Sequence, residues 1–207
     1  LASMGLYSLL VLVVYATAIS HAGDGSTVLR IAGGLLWVAI IFTSLLGLNR
    51  SLVHEKDQGC LDALLLSPVD RPVIFFGKAI GNMLFLGIVE LITVPLFYFF
   101  FLTGEKLGGS AFLLIPPIIV GTIGIAGVGT LLATMTVNTK GKDFILAILF
   151  IPAIFPLLWV VVGATTAVIV GNPDFMELYW RALIVGAGFD AIMLLAAYAL
   201  YEFIIGA

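Results

Sequence analysis

The chain has 207 residues, of which 62% are hydrophobic and only 10% are charged, and its formal net charge is -3. In water-soluble domains about half of the residues are apolar and about a quarter are charged, so this chain could not cover a water-exposed surface with polar groups. Several apolar runs reach the length that spans a bilayer. The composition therefore indicates an integral membrane protein in contact with lipid, and the absence of a basic tract argues against nucleic acid as a partner.

Six apolar segments predict an all-α fold, in which six transmembrane helices form one domain over residues 1–207. They lie near residues 2–20, 29–49, 73–102, 111–137, 144–170 and 182–206. Proline removes a backbone donor and kinks a helix, and five prolines fall inside the third to fifth segments, at Pro95, Pro116, Pro117, Pro152 and Pro156. No basic stretch precedes the first segment, so we expect no signal peptide, and we expect further residues ahead of Leu1 in the natural chain.

The distribution of Lys and Arg predicts which connections face the cytoplasm, because positive charge accumulates on that side. The second and fourth connections and their flanks contain Arg50, Lys56, Arg71, Lys78, Lys140 and Lys142, whereas the opposite side contains Arg30, Lys106 and Arg181. This bias places the long connection 50–72 in the cytoplasm. It also predicts a multi-pass protein of the cell (inner) membrane with both termini on the cytoplasmic side.

The connection 50–72 is rich in charge and contains a short amphipathic pattern. Leu61, Leu64 and Leu65, here called the leucine stripe, recur at the spacing of one helix face. Asp62 lies off this stripe near the helix start, where negative charge suits the helix dipole, and Pro68 ends the pattern. The spacing predicts about two turns of helix that lie on the membrane surface or insert into a groove of a cytoplasmic partner.

Two stretches of the sequence resemble a known family. "HEKDQGCLDALLLSPVDRPVIFFGKAIGN" is similar to the cytoplasmic loop of ABC-2-type transporter membrane subunits. Residues 33–68, "GGLLWVAIIFTSLLGLNRSLVHEKDQGCLDALLLSP", and residues 138–165, "NTKGKDFILAILFIPAIFPLLWVVVGAT", resemble CcmB, the membrane subunit of the ABC complex of cytochrome c maturation. The resemblance covers nearly the whole chain, although the cytoplasmic segment that usually precedes the first span in this family is not present ahead of Leu1.

The resemblance implies that residues 59–67 form a coupling helix that sits in a cleft of a CcmA-type ATPase. In this interpretation the leucine stripe fills the cleft, and Glu55 and Asp57 meet basic groups on the ATPase. Gly59 allows the turn into the helix.

The chain itself has no nucleotide-binding loop. Its Gly-rich stretch "GTIGIAGVGT", residues 121–130, contains no Lys and is embedded in apolar sequence, so it is not a P-loop. We therefore expect a non-catalytic subunit that binds no cofactor directly, with ATP bound by a separate subunit and haem handled by the complex. The resemblance implies CcmC-like and CcmD-like membrane proteins, a CcmE-like haem chaperone and a second copy of this chain as further partners. It leaves open whether haem is exported or the loaded chaperone is released mechanically.

Three other functions can be weighed against the sequence. An ABC-2-type permease that exports a lipid, polysaccharide or drug would have the same coupling segment. An ATP-independent carrier would need polar residues along several spans and internal repeats, and the sequence mostly lacks both. A membrane scaffold without transport would need neither.

Two acidic residues, Glu90 and Asp190, fall inside apolar runs, where a carboxylate is costly unless it faces the bundle interior, is protonated or has a partner. Each is therefore a candidate functional group or a neutral acid that is hydrogen-bonded to a neighbouring helix. For Asp190 the stretch "VGAGFD" also allows a local break of the helix. His21 and His54 lie on opposite sides of the membrane in the predicted topology and Cys60 is the single cysteine, so we expect no metal site. The glycines of residues 121–130, and the G-x-x-x-G of Gly77 and Gly81, predict close helix packing.

Overall fold

The structure, a computed structural model, describes residues 2–20, 25–57, 70–102, 110–136, 139, 141–171 and 175–206. These residues form helices and contain no strand, which confirms the predicted all-α membrane fold. The helices are α1 (Ala2–Ser20), α2 (Gly25–Asp57), α3 (Arg71–Phe97), α4 (Ile115–Thr136), α5 (Lys142–Val170) and α6 (Phe175–Gly206). A π-helical turn, Tyr98–Leu102, continues α3, and a 3-10 turn, Ala111–Leu114, leads into α4.

The helices have the length and composition of membrane spans. Within the described residues, five stretches are long and apolar enough to cross a bilayer: Val28–Leu48, Arg71–Leu102, Ala111–Thr136, Phe144–Val170 and Met176–Tyr201. The apolar part of α1, Met4–Ala18, is shorter. The structure is thus a polytopic helical membrane protein, in which five of the six predicted spans are confirmed by this criterion and α1 is a shorter apolar helix packed against α2 and α3.

Helix α4 is the centre of the bundle. Every residue from Gly124 to Leu131 is buried, which covers about two full turns and therefore all faces of the helix. The helix packs against α2, α3, α5 and α6. Because glycine has no side chain, it lets neighbouring helices approach closely, and α4 contains Gly121, Gly124, Gly127 and Gly129.

Helix α3 contributes one face to the bundle and presents the other to lipid. Seven of its nine buried residues recur in steps of three and four, namely Phe75, Ala79, Asn82, Leu86, Glu90, Thr93 and Phe97, and Ile74 and Val89 flank this row. This is the seam spacing of helices that pack at a small crossing angle. On the other face Leu84 and Leu91 are among the most exposed apolar residues of the chain, as expected for side chains in contact with acyl chains.

Two predicted boundaries were wrong. Helix α2 continues to Asp57, so the first part of the connection predicted at 50–72 is helical, and α6 begins at Phe175 rather than near residue 182. The extension of α2 is polar: loss of hydropathy marks where a helix leaves the hydrocarbon, but residues such as Lys, Glu and Arg continue a helix in water without penalty. The extension of α6 is mostly apolar and aromatic, and only the charges of Glu177 and Arg181 interrupt it, so the span itself begins earlier than predicted.

The prolines have different roles along the chain. Pro116 and Pro117 lie in the first turn of α4, after the 3-10 turn, and not within a longer helix as the sequence suggested. In the first turn a backbone N–H has no intrahelical acceptor, so proline removes no hydrogen bond there. Pro152 and Pro156 lie inside α5, and Pro95 lies inside α3 just before the π turn.

Candidate functional site

The predicted coupling segment lies mainly outside the described residues. This holds for Gly59, the leucine stripe, Asp62 and Pro68, so their predicted helix stays a prediction. Glu55 and Asp57 belong to the last turn of α2, where the backbone is described and the side chains are not. The structure fixes the two ends of the segment, because α2 ends at Asp57 and α3 begins at Arg71.

Glu90 points into the bundle, as a carboxyl group in an apolar span is expected to do. Its side chain is 6% exposed, and its two oxygens lie 2.8 and 2.7 Å from the hydroxyl of Thr122 on α4. The same hydroxyl lies 2.7 Å from the carbonyl oxygen of Ile118. A threonine hydroxyl has one proton to donate and can also accept, so Thr122 can bond to the carboxyl group and to its own helix in turn or together.

A second hydrogen bond joins the same two helices. Asn82 Nδ2 donates to Thr130 Oγ1 at 2.8 Å, and both residues are buried. Asn82 and Glu90 are eight residues apart on α3, and Thr122 and Thr130 are eight apart on α4. The two bonds therefore share one antiparallel register, and together they form the α3–α4 polar pairs.

Asp190 lies on the opposite side of α4. A β-carbon added at Gly124 would collide with Asp190 Oδ1 and with Leu157 of α5. Asp190 is 5% exposed, and its Oδ1 has no hydrogen-bond partner among the described residues. Helix α6 is continuous through this position, so the local break that "VGAGFD" allowed does not occur.

Helices α4 and α6 run parallel in a constant register. Tyr179 donates a hydrogen bond of 2.9 Å to the carbonyl oxygen of Leu113, a pair separated by 66 residues in the chain. Asp190 and Gly124 have the same separation. The hydrogen bond at the start of α6 thus sets the depth at which Asp190 meets α4.

Both acidic residues meet α4 at the same depth. Glu90 contacts Thr122, and Asp190 contacts Gly124. These two positions on α4 are two residues apart, which corresponds to about 200° around an α-helix and a rise of about 3 Å. They lie near the middle of the apolar stretch Ala111–Thr136. Glu90 and Asp190 therefore flank α4 from opposite faces near mid-membrane, and the helix between them prevents the two carboxyl groups from sharing one ion.

A tryptophan completes this level of the bundle. The indole ring of Trp37 on α2 occupies the space left by Gly121, and its Nε1 donates to Thr165 Oγ1 of α5 at 2.9 Å. Trp37 is 1% exposed and lies in the central part of the span Val28–Leu48. We call the groups at this depth the central belt: Trp37, Glu90, Thr122, Gly124, Thr165 and Asp190.

Sequence reasoning found the two carboxyl groups but missed Thr122, the partner of Glu90, and the neighbouring pair Asn82–Thr130. Asn82 is a polar residue in an apolar run, and its spacing of eight residues from Glu90 was an available signal. The partner threonines, Thr122 and Thr130, could not be recognised in the sequence. A threonine in a membrane helix can bond to its own backbone, as Thr134 does with the carbonyl oxygen of Thr130.

The prediction of close helix packing is confirmed for glycines of residues 121–130 and is wrong for Gly77 and Gly81 within the described residues. Glycines of residues 121–130 pack closely, since Gly127 faces Leu194 of α6 and Gly129 faces Leu48 of α2. Gly77 and Gly81 do not, because a β-carbon at either position would have no described atom within 4 Å. No group of three or more His, Cys, Asp or Glu that could hold a metal ion occurs in the part of the chain that the structure describes.

The fold and the central belt define a multi-pass membrane protein in which three side-chain hydrogen bonds join buried groups of neighbouring helices: Asn82–Thr130, Glu90–Thr122 and Trp37–Thr165. The chain belongs to the CcmB protein family, whose family model matches residues 2–204. This confirms the resemblance noted in the sequence.

Individual relatives agree. The chain is 29% identical over 152 residues to the heme exporter protein B of Pseudomonas aeruginosa, which covers 72% of this chain and 66% of the relative. It is 28% identical over 136 residues to that of Rhodobacter capsulatus, covering 65% of this chain and 61% of the relative. A shorter match, 35% over 63 residues, relates it to that of Escherichia coli K12, covering 30% of this chain and 29% of the relative. The aligned stretches thus span less than two thirds of these relatives.

Proposed function

We propose that this chain is the non-catalytic transmembrane subunit of an ABC transporter of c-type cytochrome biogenesis, and that it couples ATP hydrolysis by a separate CcmA-type ATPase to haem handling. Membership of the CcmB family along residues 2–204 is the observation that carries the proposal. The name heme exporter protein B belongs to the relatives, and haem as the handled molecule is extended from them to this chain.

The bundle offers a route for mechanical coupling. The segment proposed to dock on the ATPase connects the end of α2 to the start of α3. Both helices contact α4 at mid-membrane: the ring of Trp37 on α2 packs on Gly121, and Glu90 on α3 is hydrogen-bonded to Thr122. A displacement of the segment by the ATPase would therefore reach the central helix from two faces.

Within this proposal the residues of the coupling segment have separate roles. The leucine stripe fills the ATPase cleft, Glu55 and Asp57 pair with basic groups, Gly59 turns the chain and Pro68 stops the helix. Asp62 supports the helix start. The cytoplasmic side of an inner membrane is the location that this docking requires.

The central belt favours transmission of force over conduction of haem. In the central belt Glu90 and Trp37 are each hydrogen-bonded to a threonine on a neighbouring helix, and so is Asn82 two turns from Glu90 on α3. Asp190 Oδ1 is the exception, with no partner among the described residues. Polar groups that are satisfied within the bundle hold helices together and do not offer a free lining to a passing solute. We therefore propose mechanical release of a haem-loaded CcmE-like chaperone from a CcmC-like subunit, with a CcmD-like protein and a second copy of this chain in the complex.

Affinity purification of the chain from its own membranes in a mild detergent tests this proposal, with mass spectrometry of the proteins that accompany it. We expect a P-loop ATPase together with a CcmC-like haem-handling protein. Recovery of the ATPase without any haem-handling protein would contradict the haem assignment and favour a general exporter. Absence of an ATPase would contradict the ABC transporter assignment itself.

A further inference from the structure

The exposed side of α5 carries a tryptophan close to mid-membrane. Trp159 is 76% exposed, and it lies 15 residues from Phe144 and 11 residues from Val170, the two ends of its span. Leu157, two residues before it, faces Gly124 in the central belt. Two residues correspond to a rise of about 3 Å, so the indole ring of Trp159 projects from the bundle at nearly the depth of the central belt.

This depth is unusual for an exposed tryptophan. Tryptophan is enriched where the membrane meets water, because the ring is apolar and its N–H group needs a partner. Trp180, 54% exposed near the start of the span Met176–Tyr201, follows this rule. Trp37 lies deep but is buried, and it donates to Thr165. No described group accepts a hydrogen bond from Trp159 Nε1, which leaves a donor unsatisfied in hydrocarbon.

The same side of α5 also leaves two backbone acceptors without their usual donors. Pro152 and Pro156 lie inside the helix and are exposed. A helical N–H group donates to the carbonyl four residues earlier, and proline has no N–H group. The carbonyl oxygens of Ile148 and Pro152 therefore lack this bond. In a bilayer such groups are satisfied by neighbouring protein and not by acyl chains.

We call this side the α5 face, and its residues are Ile148, Pro152, Phe155, Pro156 and Trp159. Phe155 is 58% exposed, and its ring centroid lies 6.5 Å from that of Trp159. The α5 face thus combines an exposed aromatic pair with one unsatisfied donor and two unsatisfied acceptors. It requires a protein partner that supplies both kinds of group.

The donor and one acceptor of the α5 face lie at similar depth. The α-carbons of Trp159 and Pro152 are seven residues apart, about 10 Å along the axis. A long side chain on a helix leans back over the preceding turn, whereas a backbone carbonyl points forward along the helix. The indole N–H group and the carbonyl oxygen of Pro152 therefore approach each other in depth.

This arrangement makes the α5 face complementary to itself. A two-fold interface brings the same patch of two copies together, so each group of one copy meets its complement on the other. With the two-fold axis along the membrane normal, identical residues of the two copies lie at identical depth. The N–H group of Trp159 in each copy then faces the carbonyl oxygen of Pro152 in the other, and one contact satisfies both donors and two acceptors.

We propose that the α5 face is the surface on which a second copy of this chain docks, with the N–H group of Trp159 in each copy donating to the carbonyl oxygen of Pro152 in the other. This inference rests on the proposed function for the presence of a second copy, and it names the surface that receives it. Helix α5 packs directly on α4, so the two central helices of such a dimer are separated only by the two α5 helices.

Photo-crosslinking of the full-length chain in its own membranes tests the surface. The photoreactive residue p-benzoylphenylalanine replaces Phe155, and in separate variants it replaces Leu91 of α3 or Ile192 of α6. These two control positions are exposed and lie at the same depth, because they adjoin Glu90 and Asp190. We expect a crosslink to a second copy from position 155 and none from the controls, as identified by mass spectrometry.

The other crosslinking outcomes would overturn the proposal. A product that joins position 155 to a different protein would assign the α5 face to that protein, and a product with lipid alone would leave the face without a protein partner. Crosslinks between copies from a control position as strong as those from position 155 would show contact without a specific surface.

The affinity between copies tests the hydrogen bond itself. Energy transfer between two differently labelled copies is measured in liposomes over a series of protein-to-lipid ratios. Trp159→Phe keeps an aromatic ring and removes the donor. The dimer contains two such bonds, each contributing about threefold in affinity, so we expect a dissociation constant about tenfold higher. Trp180→Phe is the matched control and should leave the constant unchanged. Equal constants for Trp159→Phe and the wild type would overturn the bond.

Recovery of the ATPase separates this inference from the function on which it rests. A chain that binds the ATPase but gives no crosslink between copies from position 155 would contradict the α5 face as the docking surface and leave the proposed function intact. Failure of any ATPase to bind the unmodified chain would contradict the proposed function instead.

Discussion

Asp190 Oδ1 occupies the space where a β-carbon at Gly124 would stand, so these two residues form a steric pair at the junction of α4, α5 and α6. A side chain at position 124 and the carboxyl group of Asp190 cannot both keep their places. The close approach of α6 to the central helix therefore depends on this glycine.

Gly124→Ala is expected to destabilise the bundle by about 1–3 kcal/mol, because the added methyl group forces Asp190 and Leu157 from their positions. Thermal unfolding in detergent measures the effect. Gly163→Ala is the matched control, since a β-carbon at Gly163 on α5 meets nothing within 4 Å. A lower transition temperature for Gly163→Ala than for Gly124→Ala would contradict the packing described here.

The bond between Glu90 and Thr122 is expected to tolerate an amide but not an alkyl group. Glu90→Gln keeps a polar group opposite Thr122, whereas Glu90→Leu removes the interhelical bond and is expected to lose about 1 kcal/mol of stability. Unfolding measurements on both variants check this, together with complex assembly and cytochrome c maturation. Full assembly and maturation in both would show that Glu90 has only a packing role.

In double-mutant cycles on the α3–α4 polar pairs, we expect a coupling energy only between two residues that are hydrogen-bonded to each other. A double-mutant cycle of Asn82→Leu and Thr130→Val should yield about 0.6 kcal/mol, the usual size for interhelical hydrogen bonds in membranes. The cycle of Asn82→Leu with Thr122→Val, which joins residues from different pairs, should be additive. Equal coupling in the two cycles would mean that the register is wrong.

Trp37 is expected to stabilise the protein mainly through its ring and only secondarily through its N–H group. Trp37→Phe keeps an aromatic ring above Gly121 and loses the bond to Thr165, so a loss of about 1 kcal/mol is expected. Trp37→Ala leaves a cavity beside α4 and should lose about 3–5 kcal/mol. Similar losses for both variants, measured by chemical unfolding, would argue against the ring as the main contributor.

Some of the fold was predictable because it follows from composition along the chain. A carboxyl group in a long apolar run must turn inward, so the orientation of Glu90 could be predicted from the sequence. Its partner could not be predicted, because Thr122 becomes the partner only through the register of two helices. The end of α2 was misplaced for a different reason: hydropathy reports where the hydrocarbon ends, whereas the helix continues to Asp57.

The glycines show the same limit. Gly77 and Gly81 have the spacing of a packing motif, but they lie on the face of α3 that meets no described helix. Gly121 and Gly124 lie on a helix that is surrounded on all sides, so each meets a side chain. Sequence spacing indicates that two small residues share a face; the tertiary arrangement decides what that face contacts.

The central claim is that an ATPase docks on the coupling segment and displaces it, and co-purification with variants that introduce charge into this segment tests the claim most directly. Leu61→Asp with Leu64→Asp puts two carboxylates on the leucine stripe, and Ala63→Asp with Leu66→Asp adds the same charge away from it. The account predicts that the ATPase is lost only from the first pair, while both variants fold and unfold like the wild type. ATPase recovered at wild-type stoichiometry with Leu61→Asp and Leu64→Asp would contradict the account.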